Sequence, residues 1–283
     1  MNLATPITGA LVWLAVGLGL LAGTTRAPAA PPAAETEFAA YVKQSYQEAQ
    51  ARYQAATNRA DAAWQFGRAC FDLAELATNK TQRAALAEEG IAACRRAIAR
   101  QSNSAPAHYY LGMSLAQLAQ TRGLSALGIV SQMEGAFRRA GELDRRFDFA
   151  GPDRNLGLLY RDAPPIVSVG SRAQAREHLG QAVKLAPQYP ENRLNLIEAH
   201  VKWGELQSAR RELTALEEIW PGARTNLAGV AWTGSWADWE PRLKKLRKKL
   251  APSPKALDAP HEKNRPGVRP ARRQASSRYR TWP

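Results

Sequence analysis

Residues 187–221 read PQYPENRLNLIEAHVKWGELQSARRELTALEEIWP. The spacing of apolar residues predicts one helix over 190–204 and a second over 206–216, which is closed by Pro221. Pro187 and Pro221 stand 34 residues apart. A helix–turn–helix unit of this period is a repeat signature, because one hairpin cannot bury its apolar face without stacking on neighbours. The stretch therefore predicts a helical repeat architecture and weighs against an enzyme.

Three earlier stretches repeat this pattern. Gly67 and Ala97 occupy the small-residue positions of the two helices in a first unit, whose helices are longer than the standard ones. Gly112 occupies the equivalent position in a second unit and Gly157 in a third, where the two helices approach closely. Ser171 and Gln174 have the spacing of a capping box, which predicts the start of the second helix of the third unit. Together these units resemble the tetratricopeptide repeat (TPR).

The predicted fold is all-α. It is a TPR-like superhelical solenoid of about four helix hairpins, which spans residues 60–250 and ends in a C-terminal capping helix over 239–250. Alanine is abundant throughout the chain, which favours helices because it is the best helix former.

The positive charge of the chain is concentrated at its C-terminal end. The whole sequence of 283 residues carries a formal charge of +14, but residues 242–283 hold 14 Lys and Arg with only two acids, Asp258 and Glu262. Residues 251–283 are rich in Pro, Arg and Ser, and we expect a disordered basic tail there. Its dispersed arginines lack the aromatic interleaving that base stacking needs, so we expect weak contact with anionic surfaces and no specific nucleic acid.

The N-terminus has the pattern of a targeting segment. An apolar run over 7–22 precedes small residues and an Ala-Pro-Ala sequence, so residues 1–29 are predicted to be a signal peptide. Residues 30–59 then form a linker and a leading helix. The expected location is exported, periplasmic or secreted, and the alternative is a chain anchored by an uncleaved N-terminal segment.

The chain has two cysteines, Cys70 and Cys94. Export would place them in an oxidising compartment, which permits disulfides. An even cysteine count in an exported chain predicts a disulfide between them. The alternative is two small buried side chains, since a free cysteine packs like a small apolar residue.

Five further segments carry a second resemblance. They are GPDR at 151–154, LGLLY at 156–160, SVGSR at 168–172, AREHL at 175–179 and LAPQYPEN at 185–192. Over roughly residues 60–250 the chain resembles exported bacterial TPR proteins related to the T component of tripartite ATP-independent periplasmic (TRAP) transporters. This resemblance implies a periplasmic helical scaffold that hands over a small ligand beside a substrate-binding protein. The basic tail is not part of that family pattern.

No segment of the sequence predicts catalysis, a metal or a cofactor. A catalytic or metal role for a histidine would need convergent carboxylates or thiolates, and the sequence shows no such cluster. There is also no Gly-x-Ser-x-Gly elbow and no Gly-rich phosphate loop. We therefore predict a protein that is not an enzyme.

Nine residues are candidates for binding a ligand or partner. On the repeat template, Tyr109, Asn155 and Arg193 face the groove of the solenoid. Leu124 and Leu127 lie in an insertion that either covers the groove or extends a helix. Tyr160 and Arg172 are expected to rim a pocket beside the loop over 163–170, and the alternative is that charge pairs simply hold that loop. Trp232 and Trp236 are expected to form an aromatic binding surface, and the alternative is that they fill the junction with the cap.

The leading functional hypothesis is a non-enzymatic exported scaffold that binds a protein or peptide partner in its concave groove. The alternative is a periplasmic solute-handling auxiliary of a TRAP-type transporter that binds a small ligand. A closed apolar cavity lined by Leu124, Leu127 and Tyr160 would favour the alternative, whereas an open polar groove would favour the scaffold.

Overall fold

A computed structural model describes residues 33–122 and 126–251 of the chain. Within these ranges the secondary structure is helical and contains no strand. The helices are α1 (Ala33–Ala55), α2 (Ala60–Glu75), α3 (Lys80–Arg100), α4 (Ala105–Arg122), α5 (Leu127–Leu143), α6 (Phe147–Asp162), α7 (Arg172–Leu185), α8 (Pro190–Lys202), α9 (Leu206–Asn226) and α10 (Thr233–Leu250), with a short 3-10 helix (Val230–Trp232) before α10.

Several helices begin where the sequence provides a cap. The side chain of Asn79 accepts a hydrogen bond from the backbone N–H of Gln82 at the start of α3, at 2.8 Å. Ser171 does the same for the N–H of Gln174 at the start of α7, at 3.3 Å, so the predicted cap is confirmed. Pro190 occupies the first turn of α8, where its missing N–H costs no helical hydrogen bond.

The helices pack as a solenoid of four hairpins. The pairs α2/α3, α4/α5, α6/α7 and α8/α9 each form a hairpin, and the second helix of each hairpin packs on the first helix of the next. The first helices also contact one another in succession, and α10 continues that series by packing on α8 and α9. The predicted architecture of four hairpins with a C-terminal capping helix is therefore confirmed.

Two faces follow from this packing. We call the side chains that α2, α4, α6, α8 and α10 present toward one another the inner face, and the side of α3, α5, α7 and α9 the outer face. The long helix α1 packs along α2 and also reaches the 3-10 helix and α10. Phe38 of α1 lies so close to Gly234 of α10 that a side chain at that glycine would overlap its ring. The first and last described helices therefore meet.

Helix α9 is longer than the sequence predicts. We expected Pro221 to end it, since proline removes a backbone hydrogen-bond donor. Instead α9 continues through Pro221 to Asn226. Ala223 and Leu227, beyond the proline, are buried in the same apolar cluster as the tryptophans of the cap. Tertiary packing thus outweighs the local cost of proline in the helix.

The insertion between the helices of the second hairpin lengthens both of them. Helix α4 runs to Arg122 and α5 starts at Leu127, where the side chain is 46% exposed. Val130 is buried in the core, and Ile129 packs against it. The helix-extension interpretation therefore accounts for the described part of this segment. Leu124 lies outside the described residues.

Cys70 and Cys94 are free and fully buried in the seam between α2 and α3. Each packs against a glycine of the opposite helix, since a Cβ at Gly67 would overlap the Sγ of Cys94 and one at Gly90 would lie 3.2 Å from the Cβ of Cys70. The structure therefore has two packed thiols in place of the predicted disulfide. Burial raises the pKa of both thiols well above the ordinary value.

Some predictions concern residues on which the structure gives no information. The signal peptide predicted over 1–29 and the tail over 252–283 lie outside the described residues. Among the helices that are described, none has the length and apolar character needed to span a bilayer.

Candidate functional site

The least ordinary backbone of the described chain lies at the start of α6. Asp148, Phe149 and Ala150 have φ angles of 50°, 54° and 63°, so three successive residues other than glycine adopt left-handed geometry. Such geometry brings Cβ too close to the following carbonyl oxygen and costs about 1–2 kcal/mol per residue. Surrounding contacts must therefore hold this turn.

Those contacts come from three helices. Arg154 of α6 donates from Nη1 to the carbonyl oxygens of Asp148 and Phe149, at 3.1 and 3.3 Å. Its Nη2 donates to the Asp148 carboxylate at 2.6 Å. Tyr109 of α4 donates its hydroxyl to the same carboxylate oxygen at 2.5 Å, and Asn192 of α8 donates to the carbonyl of Phe149 at 3.0 Å. The turn is thus the point at which α4, α6 and α8 are joined.

The hydroxyl of Tyr109 uses its full hydrogen-bonding capacity. It donates to Asp148 and accepts from Arg154 Nη2 at 3.1 Å and from Asn155 Nδ2 at 3.0 Å. The structure therefore brings the candidates Tyr109 and Asn155 together on the inner face. Both are buried, however, so neither lines an open groove there.

An aromatic cluster connects the turn to the cap. The ring of Phe149 stacks on that of Tyr189, with centroids 4.5 Å apart, and meets Trp232 edge-on at 6.0 Å. Trp236 packs on Trp239 at 5.0 Å and donates its indole N–H to the carbonyl of Leu227. Trp232 and Trp236 are only 4% and 8% exposed. They fill the junction between the last repeat and the cap, which is the second of the two interpretations given above, and do not form an exposed surface.

Buried carboxylates gather around the turn. Asp72 of α2 lies 3.5 Å from the guanidinium of Arg68, and Glu191 of α8 lies 3.8 Å from that of Arg154. Burial, together with the charges of Glu75 and Asp148, raises the pKa of Asp72 to about 7. Burial also raises the pKa of Glu191.

A second set of polar side chains joins α10 to α8 and α2 to α4. Arg242 of α10 donates to the carboxylate of Glu198 at 2.9 Å, to Asp238 at 2.8 Å and to Asn195. Glu75 accepts a hydrogen bond from Gln117 of α4. Burial raises the pKa of Glu75 to about 7, and the charges of Glu191 and Asp238 add to this effect. Acidic groups from α2, α8 and α10 therefore converge on the inner face.

The remaining predicted site residues lie elsewhere. Arg193 pairs with Glu212 at 2.6 Å, between the two helices of the fourth hairpin. Arg172 pairs with Glu205 and lies over the ring of Trp203, at 5.3 Å from its centroid. Both arginines are therefore engaged in contacts within the fold.

Tyr160 does not form a pocket rim with Arg172. Its hydroxyl donates to Glu134 at 2.7 Å and accepts from Arg138 at 2.7 Å, both on α5. Asp162 pairs with Arg161 at 2.7 Å. Charge pairs therefore hold the start of the adjoining loop, as the alternative interpretation proposed.

A cavity of about 260 Å³ on the outer face holds a histidine–carboxylate pair. Nδ1 of His178 lies 2.8 Å from Asp153, which also accepts from Arg145 at 2.8 Å. Burial acts to raise the pKa of Asp153, but these hydrogen bonds outweigh it and lower that pKa. The side chains that line the cavity include no Ser, Thr or Cys. Over residues 33–122 and 126–251 no three His, Cys, Asp or Glu side chains are grouped as a metal site.

Sequence reasoning missed the residues that build the inner face. Asp72, Asp148 and Glu191 come from three helices, and the repeat template does not mark any of them. The sequence Asp-Phe-Ala at 148–150 also lacks the glycine or asparagine that would signal left-handed backbone. Arg154 enters the sequence analysis only as the last residue of the GPDR segment at 151–154.

Comparison with known proteins agrees with this architecture. Residues 168–224 match the family model of the tetratricopeptide repeat. This segment is therefore similar to the tetratricopeptide repeat. Residues 33–139 match a family model described as Regulator of microtubule dynamics protein 1-3. Among curated proteins, none matches the chain.

Three solved structures are similar to this chain at low identity. The crystal structure of MamA has 16% sequence identity to this chain and a TM-score of 0.45. The match covers 68% of this chain and 93% of the MamA chain. A crystal structure of MamA protein is 14% identical, with coverages of 69% and 98% and a TM-score of 0.44. A thermophilic TPR protein in Thermus thermophilus is 18% identical, with coverages of 77% and 97% and a TM-score of 0.44. The fold assignment rests on the helix packing and the TPR family model, not on these likenesses.

Proposed function

We propose that this protein is a non-enzymatic, exported interaction scaffold that binds a protein or peptide partner on its inner face. TPR arrays use the surface formed by their stacked first helices for binding, because the repeats present an extended concave face. The apolar run over residues 7–22 supports export.

The observation that carries the proposal is the left-handed turn at 148–150. At about 1–2 kcal/mol per residue, three residues store about 3–6 kcal/mol of backbone strain. Strained backbone that its surroundings hold in place clusters at binding and switch sites. Here the strain places the Asp148 carboxylate where α4, α6 and α8 meet, which supports a recognition role for that position.

The features that would favour a solute-handling auxiliary are weaker. That function was tied to a closed apolar cavity lined by Leu124, Leu127 and Tyr160. Leu127 is 46% exposed, and Tyr160 directs its hydroxyl to Glu134 and Arg138. The polar character of the inner face favours a protein or peptide partner instead.

The family matched by residues 33–139 is named for regulating microtubule dynamics. Microtubules are protein polymers, so that name is compatible with a protein partner for this chain. The matched segment includes α2 and α4, which supply Asp72 and Tyr109 to the inner face.

Site-specific photo-crosslinking in the cells that make the protein would test the proposal. A photoreactive amino acid would replace the half-buried Trp64 or Glu198 on the inner face, and the exposed Arg139 or Arg211 on the outer face. We expect one discrete crosslinked protein from the inner positions, and loss of that product when Asp148→Asn is added. Equal crosslinking from the outer positions, or no product from any position, would overturn the proposal.

A further inference from the structure

Three buried carboxylates of the inner face share two guanidinium groups. Arg154 contacts both Asp148, at 2.6 Å, and Glu191, at 3.8 Å. Arg68 contacts Asp72 at 3.5 Å. All five side chains are at most 14% exposed. With all five groups ionised, the three carboxylates therefore exceed the two guanidinium groups by one negative charge.

The next nearest basic groups are already engaged. Arg242 acts on Glu191, but it is held by Glu198 and Asp238 through hydrogen bonds of 2.8–2.9 Å. Arg83 donates to Gln117 at 2.6 Å and its charge acts on Glu75. These two arginines are therefore engaged with a separate set of acids.

Two carboxylate oxygens in the cluster have no hydrogen-bond donor. Oδ1 of Asp72 and Oδ1 of Asp148 are both buried and unpartnered, whereas Oδ2 of Asp148 accepts from Tyr109 and Arg154. The charge of Asp148 acts on Asp72, and the charge of Arg68 acts on both carboxylates. A buried acceptor without a donor is costly, so such oxygens are satisfied by an ordered water or by a bound donor group.

The pKa directions agree with a missing positive charge. Burial is the largest cause of the raised pKa of Asp72 and of Glu191, and neighbouring carboxylates add to it. Protonation of a carboxylate is one way to compensate the excess charge. A bound cation would do so with the carboxylates ionised.

Aromatic rings border the same place. The guanidinium of Arg68 lies 5.9 Å from the ring centroid of Tyr110, which stacks on Trp64 with the planes 4° apart. Aromatic faces attract ammonium and guanidinium groups through the ring quadrupole. The surroundings of Asp72 thus combine negative charge with an aromatic wall.

We propose that the partner of the inner face presents an organic cation, an ammonium or guanidinium group, that binds between Asp72 and Asp148. This inference rests on the proposed function, in which the partner is a protein or peptide. A lysine or arginine side chain suits the site, because its apolar stem can lie along buried surface while its charged end reaches the carboxylates.

The test measures binding of defined cationic probes to the full chain by isothermal titration calorimetry. Decalysine represents a peptide source of the cation, spermidine a free polyamine, and decaglutamine a neutral peptide. The variants are Asp72→Asn and Asp148→Asn, each matched to Glu177→Gln, which removes an exposed carboxylate from the outer face. Thermal melting checks the fold of each variant, and Asn at 148 keeps an oxygen that can accept from Tyr109 and Arg154.

We expect decalysine to bind, decaglutamine not to bind, and each inner-face variant to weaken decalysine binding at least about tenfold, with no such loss in Glu177→Gln. Equal weakening in Glu177→Gln would show attraction to overall charge and would overturn the inference. Binding of spermidine alone would assign the site to a free polyamine and overturn the peptide source. If no cation binds while inner-face crosslinking persists, the cation inference fails and the scaffold stands. If crosslinking is absent, the scaffold itself fails.

Discussion

Gly157 lies where α6 crosses α7, and replacing it with alanine tests the repeat packing directly. A Cβ at this position would lie 2.6 Å from Cγ, 2.8 Å from Cδ2 and 3.0 Å from the backbone nitrogen of Leu179. Contacts this short force the two helices apart, because the backbone nitrogen cannot move without moving α7.

The magnitude follows from two opposing effects. Overpacking a well-packed core costs about 1–3 kcal/mol, and we take the upper part of that range, about 2–3 kcal/mol, because the short contacts include a backbone atom. Alanine in place of glycine returns up to about 1 kcal/mol through helix propensity. We therefore expect Gly157→Ala to lower the free energy of unfolding by about 1–2 kcal/mol. For a domain of this size that corresponds to a fall of about 2–8 °C in Tm.

Thermal and urea unfolding of three variants would measure this effect. Gly180→Ala is the matched control, since it lies in the same hairpin and a Cβ there meets nothing within 4 Å. It should leave Tm unchanged or raise it. In the double variant Gly157→Ala with Leu179→Ala, the alanine at 157 should cost less than it does alone, because the opposing side chain is gone. A Gly157→Ala protein that melts at or above the wild type would refute the proposed helix crossing.

Three other variants or treatments have defined outcomes. Tyr109→Phe removes a hydroxyl that makes three hydrogen bonds in the buried network. It should lower the free energy of unfolding, measured in urea, by about 1–3 kcal/mol. An unchanged value would show that the network does not hold the turn at Asp148. The pKa of Asp72 is raised from 3.8 to about 7, so its protonated form favours folding, and stability should fall as the pH rises from about 4 to about 7. Asp72→Asn should remove at most about 4 kcal/mol of that pH dependence, measured as the unfolding free energy across the range, and an identical profile in the variant would contradict the assignment. Thiol titration of the denatured, unreduced protein should find two free thiols for Cys70 and Cys94, and reductant should leave Tm unchanged, whereas an absence of thiols would show a disulfide.

The repeat architecture was predictable because its signals are local. In the fourth hairpin the first helix was predicted over 190–204 and is observed as Pro190–Lys202, and the second begins at Leu206 as expected. The extension of that helix through Pro221 was not predictable, since it depends on contacts of Ala223 and Leu227 with the cap.

The inner face was not predictable because its members are far apart in sequence. Asp72, Asp148 and Glu191 lie on α2, α6 and α8, and only the stacking of the hairpins brings them together. The template also placed Tyr109 and Asn155 on the correct helices without showing that a buried network would enclose them. Tyr109 is buried in the apolar core, and its hydroxyl meets a strained turn for which the sequence has no local marker.

Amide hydrogen exchange of the full chain, with and without the protein identified by inner-face crosslinking, tests the central claim most directly. Partner binding on the inner face should slow exchange in α2, α4, α6 and α8, with the largest effect around the turn at 148–150. Slowing confined to α3, α5, α7 and α9, or no change in any helix, would contradict the account.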